Sequence, residues 1–151
     1  MELWPIYAFA CGAGLFFAYQ VIQRRREIPM KALAARCRLD WLGKGIPAIG
    51  LSGTSLKPVI GAWNGMGTCS AGFQVVVFDC QIGEGKGHFR RTVIAAQTEA
   101  SVFGAARFDL DLSVESSGTW VFLFRTIRPA FIPLGLMPVA ELEPHIQSIL
   151  K

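Results

Sequence analysis

The chain has 151 residues, 52% of them hydrophobic and 17% charged, with a formal net charge of +4. That length suits one small domain rather than two, and the apolar balance points toward a membrane-associated chain. Cys11, Cys37, Cys69 and Cys80 form no Cys-x-x-Cys pair and have no matching histidine cluster, which leaves a zinc site or a disulfide framework unsupported.

Leu3–Ile22 is a run of 20 residues without a charged side chain. As a helix it would extend about 30 Å, the thickness of a bilayer's hydrocarbon core. Trp4, Tyr7 and Tyr19 lie toward its ends, and Pro5 falls in the first turn, where its missing N–H matters least. Only Met1 and Glu2 precede the run, whereas a cleaved signal peptide opens with positive charge. Seven basic residues follow (Arg24, Arg25, Arg26, Lys31, Arg36, Arg38 and Lys44), opposed only by Glu27 and Asp40. The expectation is a single-pass transmembrane anchor over residues 1–23 in the cytoplasmic (inner) membrane, with the N-terminus out and the body of the chain cytosolic. Arg24, Arg25 and Arg26 are read as its membrane flank, and the bilayer as a partner. Nucleic acid is disfavoured, because no aromatic residues interleave the basic ones as a stacking platform.

Beyond the basic segment, taken as residues 24–45, the third and largest unit spans residues 46–151. Leu33, Ala34, Cys37 and Trp41 recur at helical spacing, so a linking helix is expected over Met30–Leu42, opened by Pro29 and stopped by Gly43. Residues 43–72 are dense in glycine, which indicates loops and short strands; Leu56–Trp63 is one strand, and Asn64-Gly65 carries a turn signal.

Phe73–Ile82 reads as a strand rich in β-branched and aromatic residues, Gly83–Gly87 as a turn, and His88–Gln97 as the return strand. A five-residue loop sets Ile82 opposite His88, and hence Asp79 opposite Arg91. The turn has Lys86 followed by glycine and a strand, so it lacks the helix N-terminus that a phosphate loop requires. Asp79, Cys80 and His88 are the residues an enzyme would have to use. Neighbours in a strand point to opposite faces, however, so Asp79 and Cys80 cannot both align with His88 through this hairpin. No catalytic, metal or cofactor residue is assigned.

The apolar N-terminal segment, the strand ending Val77-Phe78-Asp79 and the turn Gly83-Glu84-Gly85-Lys86 resemble a group of uncharacterised bacterial membrane-anchored proteins. Those show Phe-Asp-Tyr beside a glycine-rich turn, and here Cys80 stands in place of the tyrosine. The resemblance spans roughly Arg36 to Leu150 and implies a hairpin domain behind an anchor, with no named activity.

Thr98–Arg107 is a connection or short helix. From Phe108 to Glu115 apolar and polar residues alternate, as in a strand with one wet face; Asp109 and Asp111 are two carboxylates where a metal would want at least three ligands. Ser116-Ser117-Gly118 turns into the strand Thr119–Ile127. Arg125 and Arg128 argue against a second span there. A closing helix after Pro138 gathers Leu142, Ile146, Ile149 and Leu150 on one face. The fold class expected is thus α+β: a transmembrane helix, then a small antiparallel-sheet domain with flanking helices. The expected function is a noncatalytic, membrane-tethered module that binds a protein partner or assembles. The alternatives are an enzyme using Asp79, Cys80 or His88, and a basic lipid or nucleic-acid binder.

Overall fold

The computed structural model describes residues 4–46, 49–70, 73–83, 89–104, 111–126 and 136–151. A long helix, α1 (Trp4–Arg36), leads into β1 (Asp40–Gly43), β2 (Val59–Ser70), β3 (Phe73–Ile82) and β4 (Phe89–Gln97). A 3-10 turn at Ala100–Phe103 precedes β5 (Leu112–Ser117), β6 (Trp120–Arg125) and the closing helix α2 (Val139–Leu150). The strands form one antiparallel sheet in the order β1-β2-β3-β4-β6-β5.

Both faces of the sheet are covered, which is why β3 reads as an almost continuous apolar run. Val75 and Val77 point to the face that also buries Met30 and Leu33 of α1 and Leu142 and Ile146 of α2. Val76, Phe78, Cys80 and Ile82 point to the other face, where Ile46, Ile49, Leu51 and Leu56 from the stretch between β1 and β2 pack over them. Each fully buried valine contributes roughly 1.5–3 kcal/mol.

The anchor expected at the N-terminus is corrected. Among the described residues no helix is long and apolar enough to cross a membrane. The transmembrane helix, the single-pass membrane description and the inner-membrane placement with the N-terminus out are therefore not supported. The helix does not stop where the uncharged run ends. It continues through Arg24–Arg26 to Arg36, and its second half lies on the sheet through Met30, Leu33, Ala34 and Cys37. Pro29 sits inside it on the exposed side, where a missing N–H costs a bond on the solvent face. The boundary expected at residues 23/24 falls within α1, and the one at 45/46 divides β1 from its partner β2.

The linking helix also ends earlier than its spacing suggests. Arg38 adopts φ 56°, its N–H bonds to the Ala35 carbonyl, and the Leu39 N–H bonds to the Ala34 carbonyl at 2.8 Å. This is the pair of bonds that closes a helix through a left-handed residue, usually glycine. Trp41 consequently belongs to β1. Asn64-Gly65 is not a hairpin turn either: β2 runs on to Ser70, with a bulge between Trp63 and Met66 and Asn64 at φ 52°.

Gly67 lies in β2 beside β3, and a β-carbon there would lie 2.7 Å from the Val75 carbonyl oxygen. Backbone cannot yield as a flexible side chain does. Gly67→Ala is expected to lower the unfolding free energy by about 1–3 kcal/mol, read as a reduced urea midpoint at unchanged slope.

Candidate functional site

Asp79 is the one acid in the apolar run of β3, and its side chain is 0% exposed on the helix face of the sheet. A carboxylate so placed needs a cation and a full set of donors. Arg26 supplies the cation. Its Nε donates to Asp79 Oδ2 at 2.8 Å, and its Nη2 to Oδ1 at 3.1 Å. Arg26 lies four residues before Met30 and seven before Leu33, so it extends the buried stripe of α1 by one turn.

Two further donors complete the carboxylate. Thr92 Oγ1, directly across from Asp79 on β4, donates to Oδ1 at 2.7 Å. Asn64 Nδ2, aimed by the left-handed bulge in β2, donates to Oδ2 at 3.0 Å. The same threonine oxygen accepts from Arg26 Nη2 at 2.7 Å and from the Met137 N–H at 3.0 Å. Arg26 Nη2 also reaches the Met137 carbonyl at 2.8 Å. One cluster thus joins α1, β2, β3, β4 and the chain entering α2.

Such an arrangement limits its own chemistry. A carboxylate offers about four lone-pair positions, and Asp79 has four donor contacts. Thr92 Oγ1 gives one proton and receives two. Neither oxygen can take a substrate proton or a metal without losing a partner. The cluster is a clasp.

The other residues singled out from the sequence fall elsewhere. Arg91 faces Cys80, not Asp79: Ile82 pairs with Phe89, so the hairpin slips by one residue from the expected register. Cys80 and Arg91 lie on the face opposite Asp79. Burial pushes the Cys80 thiol up to about 12. Burial also lowers the pKa of Arg91, whose guanidinium lies 4.8 Å from the Phe124 ring centre and reaches the Ser55 hydroxyl at 3.5 Å. His88, the turn residues 84–87 and Asp109 lie outside the described residues. No group of three or more His, Cys, Asp or Glu side chains that could hold a metal occurs among the described residues.

Three of the seven basic residues between positions 24 and 44 are paired within the chain. Besides Arg26, Lys31 pairs with Glu27 and lies over Trp41, and Arg36 pairs with Glu143 of α2. Arg25 is exposed, and the Arg24 side chain lies outside the described residues. No protein-family profile, curated protein or solved structure matches the chain.

Arg26→Met leaves a buried carboxylate without its cation and should lower stability by about 3–5 kcal/mol. Adding Asp79→Asn should recover part of that loss, and strictly additive losses in the double-mutant cycle would show the pair uncoupled. Cys80 should resist maleimide at pH 8 in the native protein while exposed Cys11 reacts. The raised thiol pKa means the unfolded chain loses this proton first, so its stabilising contribution is complete below about pH 9 and fades toward pH 12. Cys80→Ala should remove that part of the alkaline loss in denaturation curves.

Proposed function

We propose that this chain is a noncatalytic binding module that presents the first half of α1 to a protein partner. One observation carries the reading. Along that half Tyr7 is 64% exposed, Phe9 80%, Phe16 61% and Phe17 71%, on a helix without a charged residue from Trp4 to Ile22. Scattered apolar residues on a surface mean little, but a helix that is apolar all round is a segment built to be covered. The clasp at Arg26 supports the reading as well, since it fixes the second half of α1 to the sheet and leaves the first half as an arm.

The enzymatic alternative is weakened at two of its three residues, Asp79 and Cys80. Asp79 is saturated, and Cys80 is a buried, protonated thiol on the other side of the sheet. The polycation alternative is weakened because Arg26, Lys31 and Arg36 are already paired within the chain.

A photo-reactive phenylalanine analogue at Phe16 or Phe17 in cells is expected to give discrete protein adducts, while the same group at exposed Ser148 of α2 gives none. Equal, diffuse labelling at all three positions would remove the arm as a docking element.

A further inference from the structure

Arg26 and Arg91 lie against the sheet on opposite faces, and their surroundings differ. Arg26 has both oxygens of Asp79, the Thr92 hydroxyl and the Met137 carbonyl as acceptors. Half-buried Arg91 has one long contact to the Ser55 hydroxyl and the Phe124 ring beside its guanidinium. Among the described residues no carboxylate forms an ion pair with it, and its buried Nε has no acceptor. A guanidinium keeps its charge and all five N–H donors, so it cannot escape the cost of burial by losing a proton. Arg91 is a cation with donors to spare.

We propose that Arg91 is the anion-binding residue of a small-ligand site, and that its ligand is a carboxylate carried on an apolar group. Phe89 supplies the apolar contact. It stands two residues before Arg91 in β4 and therefore on the same face of the sheet. Its side chain is 49% exposed, whereas Ile82, its partner across the hairpin, is buried. One exposed ring means little alone, but this one adjoins a guanidinium that lacks an anion. Same-face neighbours in a strand are about 7 Å apart, a span that a short carbon chain between carboxylate and apolar group can bridge. The terminal nitrogens of Arg91 take the two carboxylate oxygens as a fork.

Charge selects a carboxylate over a phosphate. Glu115 is the nearest acid, and the Ser55 hydroxyl stands between it and Arg91. Glu115 accepts from the Ser55 N–H at 2.7 Å and from that hydroxyl at 2.6 Å. Ser55 thus holds the carboxylate away from Arg91 and directs its own proton to Glu115. One guanidinium and one carboxylate leave this corner with no surplus positive charge. A doubly charged phosphate is repelled by Glu115 about twice as strongly as a singly charged carboxylate. The apolar neighbour at Phe89 favours an organic acid further, because a bare inorganic anion gains nothing from it.

The test follows backbone amide resonances of the purified full chain during titration with phenylpropionate at constant ionic strength, with its neutral amide and inorganic phosphate as comparisons. Saturable shifts are expected at Ser55, Phe89 and Arg91, with a dissociation constant of about 1 mM, as suits so small a ligand. The amide and phosphate should each bind about tenfold more weakly, and Arg91→Gln should weaken phenylpropionate by about the same factor. Phe89→Ala, at an exposed position, should weaken it severalfold, and Glu115→Gln should tighten it. Those two variants decide the matter even where Arg91→Gln fails to fold. No saturable shift by about 20 mM would overturn the site. Equal binding of the amide would overturn the role of Arg91, and equal binding of phosphate the apolar carboxylate.

Discussion

A single carboxylate in the middle of the sheet sets the terms for the rest of the molecule. Asp79 is fully buried, and a buried charge without a partner costs several kcal/mol, comparable with the whole stability of a small domain. The fold therefore has to bring Arg26 to it from 53 residues away, along with Asn64 and Thr92. Apolar packing alone would allow α1 to slide along the sheet, because Met30, Leu33 and Cys37 are interchangeable with other apolar neighbours. Fork-shaped hydrogen bonds do not slide. The clasp thus fixes the register of the helix on the sheet and, through the Met137 backbone, the start of α2.

The strands were the most legible part of the sequence. Phe73–Ile82 is β3 to the residue, because β-branched and aromatic side chains suit both buried faces. The closing helix after Pro138 carries Leu142, Ile146 and Ile149 buried on one face, as its spacing implies. What was not legible has identifiable causes. The end of α1 rests on Arg38 in a left-handed conformation, and arginine gives no such signal. The hairpin register turned on one residue of loop length, and that slip exchanged Arg91 for Thr92 opposite Asp79.

The candidate site was half visible. Asp79 was singled out and given a basic partner across the hairpin, Arg91, which the register does not place there. Its partner was hidden because Arg26 sits in a run of three arginines that reads as a helix flank. The signal was present in spacing: Arg26, Met30, Leu33, Ala34 and Cys37 form one stripe once the helix is allowed to pass Pro29. Strand alternation was legible too, and it separates Asp79 from Cys80 by the thickness of the sheet. Two reactive groups adjacent in sequence are thereby kept in different compartments of the core.

The bulge in β2 has a consequence for how that strand can be read. Before it, Trp63 pairs with Asp79 on the helix face; after it, Met66 pairs with Val77 on the same face. An odd position and an even one share a side, so the period-two rule changes phase at Asn64-Gly65. β2 is in effect two short strands of opposite phase spliced end to end. The splice lets Met66 rather than its neighbour enter the core, and it turns the Asn64 amide toward Asp79. Removing the extra residue would restore a plain period of two with Trp63 and Met66 still on the helix face, but it would take away the bulge that aims the Asn64 amide at Asp79.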